Sequence, residues 1–189
     1  MAIVFAGILG AALAVVIVGL LLIFHSVAAP TLHINRAAAQ RFADELQRAQ
    51  STAASGTPTV VRADETELNS MLQPFLLAAN GASSGTAKAT FRDMRFSLKE
   101  DRIRIYALLS GVGPKDITLV FEGKVRTTNG YLDFEPISGK IGALPIPQAS
   151  MRRALQQLAA DPGNHQLLHL PNNLRDVQVA DGKIVVTYK

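Results

Sequence analysis

The feature that most limits how this chain can fold is an uncharged apolar segment near its start. Residues Ala2 to Phe24, 23 in all, contain no Asp, Glu, Lys, Arg or Pro. As a helix rising about 1.5 Å per residue this segment would be roughly 34 Å long, and the core of a bilayer is about 30 Å thick. We therefore expect residues 1–29 to form a transmembrane anchor, with residues 2–24 in the membrane.

A cleaved signal peptide is the alternative for the same segment. Ser26-Val27-Ala28 would be a small-residue cleavage site, but the apolar run is long for a signal peptide and no Lys or Arg precedes it. These features favour an uncleaved anchor. The first cations after it, Arg36 and Arg41, favour a cytoplasmic position for the rest of the chain.

The charge distribution limits the partners of the remaining chain. All 19 Lys and Arg and all 15 Asp and Glu lie beyond residue 35, which gives a net charge of +4. Because the two signs are mixed and no basic run is interleaved with aromatic residues, nucleic acid is not an expected partner. A mildly basic surface suits anionic lipid headgroups. With no cysteine, the chain has no disulfide, thiolate metal site or thiol nucleophile.

Two further regions follow the anchor. Residues 30–58 carry a helical apolar pattern from Leu32 to Ala49 and then a small polar linker, Ser51 to Pro58. This helix is interpreted as a stalk, or as a helix that lies against the membrane or the domain. Residues 59–189 are predicted to form an α+β domain.

The dipeptide Asn129-Gly130 is the strongest hairpin signal in the chain, because a type I′ turn needs positive φ at both positions. It predicts apolar pairs on one face and opposite charges on the other. The predicted pairs are Thr127–Leu132, Val125–Phe134, Arg126–Asp133 and Lys124–Glu135.

Two more hairpins are predicted at Glu100-Asp101 and Asp181-Gly182. In both, alternation of apolar and polar residues places the apolar side chains on one face. The predicted pairs are Leu98–Ile103, Phe96–Ile105, Val179–Ile184 and Val177–Val186.

Two apolar-striped helices are expected to cover the sheet. The first begins at Asp64, with Glu67 at capping-box spacing, and contains Pro74, which should kink or break it. The second follows Pro145 and Pro147, which should end strand pairing and start the helix. The predicted fold class is α+β: an N-terminal transmembrane helix, then a twisted antiparallel sheet covered on one face by two helices.

The sequence offers little support for catalysis. His165 and His169 are spaced i, i+4, but Asp161 is the only carboxylate near them, so ordinary loop histidines are favoured over a metal site. "GVGPKD" at 111–116 lacks the spacing of a phosphate-binding loop, and no serine-hydrolase elbow or zinc-protease helix is present. We predict no catalytic residue, metal or cofactor, and no enzyme.

Three short motifs accompany the predicted anchor: "ETELNSML", "GKIGALPIP" and "RDVQVADGKIVVT". Together they resemble the YpmS-like family of bacterial membrane-anchored envelope proteins. More distantly, residues 59–189 are similar to tubular lipid-binding (TULIP-like) modules, in which a curved antiparallel sheet wraps a long helix. The resemblance implies an extracytoplasmic domain that binds a lipid or another apolar ligand. The short strand region and Pro74 depart from that pattern.

The candidate ligand-binding residues are the apolar side chains of the strands and helices, which would line a groove for an acyl chain. They are Leu68, Met71, Leu72, Phe75, Met94, Phe96, Ile103, Ile105, Leu119, Phe121, Met151 and Leu155. Apolar stripes at these spacings are more typical of an ordinary core than of a ligand groove. The alternative function is a scaffold protein of a membrane complex, with a protein partner and no small-molecule ligand. An apolar cavity would favour the ligand, and an exposed apolar patch or free sheet edge the scaffold.

Overall fold

The chain folds into an α+β domain built on two antiparallel sheets. The structure is a computed structural model that describes residues 22, 23, 25, 27–31, 33–82, 90–111, 115–161 and 168–189, without the side chains of 75–82, 91 and 158. The elements of this part are α1 (Arg36–Ala54), β1 (Thr59–Ala63), α2 (Glu65–Ala82), β2 (Thr90–Lys99), β3 (Arg102–Ser110), β4 (Ile117–Thr128), β5 (Tyr131–Ile141), β6 (Leu144–Pro145), α3 (Gln148–Ala160), β7 (Leu174–Ala180) and β8 (Lys183–Tyr188). The predicted α+β class is confirmed.

The strands form two sheets where one was predicted. One sheet has the order β2-β3-β4-β5-β6 and the other the order β1-β8-β7. The second sheet exists because β1 pairs with the last strand of the chain, Thr59 opposite Tyr188. The sheets meet at β4 and β7, where the backbone N–H of Val177 donates to Thr127 Oγ1 at 2.9 Å.

The predicted hairpin registers are confirmed. The structure pairs Val125 with Phe134, and it pairs the other predicted partners of all three hairpins in the same way. Asn129 and Gly130 have φ of 54° and 81°, as a type I′ turn requires.

The ion pairs of the Asn129-Gly130 hairpin differ from the prediction. Arg126 lies opposite Asp133, but its guanidinium is 3.7 Å from the carboxylate of Glu135, a diagonal neighbour on β5. Lys124 pairs with Asp101 of the β2–β3 turn. Long side chains reach diagonal and next-strand partners as readily as direct ones, so the register alone does not determine which charges meet.

Helix α1 lies against the domain, one of the positions that the sequence left open. Asn35 caps its start, since its Oδ1 accepts from the Ala37 N–H at 2.9 Å. Phe42, Ala49 and Ala53 are buried against the three-stranded sheet. The helix continues to Ala54 through residues predicted as linker, because Ala53 is part of that buried face.

Helix α2 begins as predicted and continues past its proline. The N–H of Glu67 donates to Asp64 Oδ1 at 2.8 Å, and the N–H of Asp64 donates to Glu67 Oε2 at 3.1 Å, which completes the capping box. The predicted break at Pro74 is wrong, because the helix extends from Glu65 to Ala82. Pro74 has no backbone N–H, so the helix continues without the hydrogen bond that residue 74 would donate to the Ser70 carbonyl.

The prolines before α3 act differently from each other. Pro145 was expected to end strand pairing, but Leu144 and Pro145 fold back on β5 through the turn at Gly142. A proline is tolerated here because β6 is the edge of the sheet. Pro147 directly precedes the helix, which agrees with its predicted place at the helix start.

The predicted anchor, residues 2–24, lies outside the described residues except for Leu22 and Ile23. Among the residues that the structure describes, no helix is both long and apolar enough to cross a membrane.

Candidate apolar groove

The candidate site is the apolar face of the five-stranded sheet between helices α2 and α3. Helix α2 packs on β2 and helix α3 packs on β5, so the helices cover the two sides of this face. Between them lie Ile105 of β3 and Leu119 and Phe121 of β4, and Ile105 is directly opposite Phe121. All three are only half-buried. We call this surface the apolar groove.

The wall of the groove at β2 is a packed cluster. Leu68 is buried and contacts the sheet together with half-buried Leu72. The other members of the cluster are Leu98, Ile103, Val179, Phe96, Ile105, Val125, Phe134 and Ile184. Leu68 and Leu72 are four residues apart and therefore share one helix face.

Polar side chains of α2 form hydrogen bonds with the backbone of edge strand β2. Asn69 is 1% exposed, and its Nδ2 donates to the Phe96 carbonyl at 2.6 Å while its Oδ1 accepts from the Phe96 N–H at 2.8 Å. Glu65 Oε2 accepts from the Leu98 N–H at 3.0 Å. These bonds satisfy backbone groups that an edge strand would otherwise leave unpaired. Neither residue was predicted to have this role from the sequence, although Asn69 stands out as a lone Asn within an apolar helical stripe.

The wall at β5 depends on a glycine. Met151 of α3 is 4% exposed, and a Cβ at Gly139 of β5 would overlap its Sδ. Gln148 Nε2 donates to the Pro136 carbonyl at 2.8 Å and fixes the first turn of the helix on the same strand. Leu155, one turn after Met151, is half-buried.

Part of the groove floor is filled by the chain's own aromatic rings. A Cβ at Gly123 would be 2.5 Å from Cζ of Phe134, and a Cβ at Gly139 would be 3.1 Å from Cδ1 of Phe121. The two rings therefore lie over glycines of the neighbouring strand. The chain's own side chains therefore occupy part of the groove floor.

The structure brings some of the predicted ligand residues together and separates others. Met71 lies in the core beneath the three-stranded sheet, with Phe42 and Tyr188, because α2 sits between the sheets and its two sides face different cores. Met94, on edge strand β2, is half-buried, and the Phe75 side chain lies outside the described part. One cluster contains Leu68, Leu72, Phe96, Ile103 and Ile105.

Two open clefts lie away from these residues. One, of about 640 Å³, is lined by the turns Glu100-Asp101 and Asp181-Gly182 and partly by Leu98. The Gly182 N–H donates to the Glu100 carbonyl at 2.9 Å and joins the two turns. A second cleft, of about 390 Å³, shares Gln178, Ala180 and Asp181 with the first and is also lined by Arg62. Neither is lined by a predicted ligand residue, so neither is the apolar cavity that would favour a ligand in the groove.

The opposite face of the five-stranded sheet is charged at its β3–β4 centre. Glu122 accepts from Arg104 at 2.7 Å and from Arg102 at 3.4 Å. The hydrogen bond from Arg104 is the main reason that the pKa of Glu122 lies below its usual value.

Titratable side chains do not assemble into a metal centre in the described part of the chain, where no group of three His, Asp or Glu is close enough to hold an ion. His165 lies outside that part. His169 is exposed and packs edge-on against Tyr131, with ring centroids 5.0 Å apart.

Comparison with protein-family models, with curated proteins and with solved structures finds no match to this chain. The resemblance to the YpmS-like family therefore stays a prediction.

Proposed function

We propose that the chain is a membrane-anchored, non-enzymatic envelope protein whose extracytoplasmic domain holds the acyl chain of a lipid, or a similar apolar ligand, in the apolar groove. The observation that carries the proposal is the half-burial of Ile105, Leu119 and Phe121 on inner strands of the sheet. Inner strands are where a closed core would bury its apolar side chains most completely.

A comparison within β4 supports this. Thr118, on the opposite face, is 0% exposed, whereas its apolar neighbour Leu119 is half-buried. The usual order of burial is reversed, since a hydroxyl is inside and large apolar groups reach solvent. An acyl chain in the groove would remove apolar surface from water on both partners, at about 0.8 kcal/mol per buried CH₂.

The chemistry of the groove favours binding over catalysis. Its described lining is aliphatic and aromatic, and the nearest polar groups, Asn69 and Glu65, are bonded to the backbone of β2. Apolar pockets with few polar groups suit ligands held by shape and burial.

The test compares lipids carried by the full chain and by two tryptophan variants in mild detergent. Leu119→Trp should fill the groove floor and reduce co-purified lipid several-fold in native mass spectra. Ser138→Trp adds the same bulk at an exposed site of β5 on the charged face and should leave lipid content unchanged. Equal lipid in wild type and both variants would mean that only detergent-resistant annular lipid is present, and the proposal would fail.

The scaffold alternative has an observation of its own. Strand β1 is an edge of the three-stranded sheet, and Val60 on it is 45% exposed. Free edges and exposed apolar residues are typical of protein contacts. A photo-crosslinker at Val60 that captures one defined protein in cells, together with no lipid loss in Leu119→Trp, would favour a scaffold.

A further inference from the structure

The segment that begins with Leu22 and Ile23, the last described residues of the predicted anchor, is bonded to one end of the five-stranded sheet. The Ala143 N–H donates to the Leu22 carbonyl at 2.7 Å in the β5–β6 turn. Gly142 has φ of 58°, and a Cβ there would overlap the backbone of Leu22 and Ile23. A glycine is therefore needed at this turn both for its conformation and for the close approach of the two backbones.

The same segment then crosses the face of the sheet that the strand pattern predicted to be wet. Tyr106 is 6% exposed, and its hydroxyl donates to the Val27 carbonyl at 3.2 Å. Arg95 Nη1 donates to the Pro30 carbonyl at 2.6 Å. The Asn35 N–H donates to Ser70 Oγ of α2 at 2.9 Å. Leu22, Val27, Pro30 and Asn35 are thus each bonded to the domain.

These contacts identify which end of the strands, and not which edge strand, is nearest to the predicted anchor. Because the strands are antiparallel, β5 ends at the same edge where β4 begins, with Ile141 opposite Leu119. We call this the Gly142 edge. The Asn129-Gly130 turn lies at the other end of β5, whose 11 residues span roughly 35 Å at about 3.3 Å per residue.

The side chains at the Gly142 edge suit an anionic lipid surface. Lys115 and Lys140 are exposed and form no ion pair with any residue that the structure describes. Arg92 is 66% exposed and pairs with Asp116 at 3.5 Å. Lysine and arginine close to a bilayer are attracted by anionic headgroups.

We propose that the domain is held against the bilayer with its Gly142 edge toward anionic lipid headgroups. Leu119, at the floor of the apolar groove, lies at this edge, so the groove opens toward the acyl chains that it would take up. The inference rests on the proposed anchoring of residues 2–24. The bonds of Leu22, Val27, Pro30 and Asn35 to the domain, which we call the bracket, set this orientation.

The absence of cysteine allows a direct test on the full chain. Lys115→Cys, at the Gly142 edge, and Thr128→Cys, next to the distal turn, each carry one fluorophore. The protein is reconstituted into vesicles of phosphatidylcholine and phosphatidylglycerol that contain a headgroup-nitroxide lipid. Strong quenching at 115 and little at 128 is the expected result. Equal quenching at both sites, or stronger quenching at 128, would overturn the orientation.

A second pair of variants tests the bracket itself. Tyr106→Phe combined with Gly142→Ala should reduce the contrast between the two labels while circular dichroism stays unchanged. If the contrast persists in this folded variant, the bracket does not set the orientation and the inference is wrong.

Failure of the inference is distinguishable from failure of the proposed function. If the chain is released from membranes by alkaline carbonate and neither label is quenched, the anchor and with it the proposed function fail. If the chain stays in the membrane and carries lipid that Leu119→Trp removes, but the labels are equally quenched, the orientation alone is wrong.

Discussion

Two glycines of the five-stranded sheet show how single residues shape the groove. Gly123 and Gly139 both lie beneath side chains of the chain itself, but their surroundings differ in rigidity. The Glu135 carbonyl oxygen would be 2.5 Å from a Cβ at Gly123, whereas the nearest atom at Gly139 is the sulfur of flexible Met151. Backbone in a paired strand cannot retreat as a methionine side chain can.

Gly123→Ala should therefore lower the free energy of unfolding by about 1–3 kcal/mol, the usual cost of an added methyl in a packed site. Gly139→Ala is the matched control and should cost clearly less. Urea-induced unfolding followed by circular dichroism measures both. A larger loss at Gly139 than at Gly123 would show that the β4–β5 backbone yields more easily than Met151.

Glu122 should make a small, pH-dependent contribution to stability. The hydrogen bond from Arg104 holds the pKa of Glu122 below its ordinary value of about 4.5, so the unfolded chain binds this proton more tightly. The stabilisation is then complete above about pH 4.5 and is lost as the pH falls further. Because Arg104 is 59% exposed, we expect less than about 1 kcal/mol.

The measurement compares wild type with Glu122→Gln in urea at about pH 7 and about pH 3. The stability difference between them should shrink at the lower pH. Ser138→Ala, at an exposed site on β5, removes no titratable group and is the control, which should show no such change. A difference that grows toward low pH would contradict the sign of the shift.

At the scale of elements, the start of α2 depends on its reciprocal cap. Asp64→Ala removes the acceptor for the Glu67 N–H and should cost about 1 kcal/mol. Glu67→Gln keeps an oxygen that can accept from the Asp64 N–H and should cost less. Thermal unfolding of the two variants measures the difference, and an equal loss would mean that the charge of Glu67 matters more than its hydrogen bond.

Helix α1 contributes its apolar face to the core of the three-stranded sheet. Phe42 is 3% exposed there, so Phe42→Ala should destabilise the fold by about 3–5 kcal/mol through the cavity that it leaves. Arg41→Ala, at the exposed neighbouring position, should have little effect. Hydrogen exchange of β1 and β8 should rise in the first variant alone, and unchanged exchange would mean that α1 is peripheral.

At the scale of the whole molecule, the sequence predicted pairing within hairpins but not between distant strands. Residues on either side of Asn129-Gly130 are brought together by a turn whose geometry their own side chains specify. No local signal shows that Thr59 meets Tyr188, because that contact closes a loop spanning most of the chain. The second sheet was therefore missed.

For the candidate site, too, the sequence predicted contacts within hairpins but not contacts between distant parts of the chain. Alternation on either side of the Glu100-Asp101 turn correctly placed Phe96 opposite Ile105 on one face. The same periodicity could not show that Met71 would turn to the other core, since that depends on α2 lying between two sheets. Nor could it show that Tyr106 would be covered by a segment 79 positions earlier in the chain.

The sequence by itself determined the cap of α2, the three hairpin registers and the apolar face of the hairpin strands, because these follow from backbone geometry and side-chain alternation over a few residues. It did not determine the start of α1, which is capped by Asn35 rather than beginning at Leu32. Only the tertiary structure decided that there are two sheets, which core each helix face enters, and which edge of the domain meets residues 22–35. Those features depend on contacts between distant residues. Their free energy comes from burial and hydrogen bonding that no local pattern encodes.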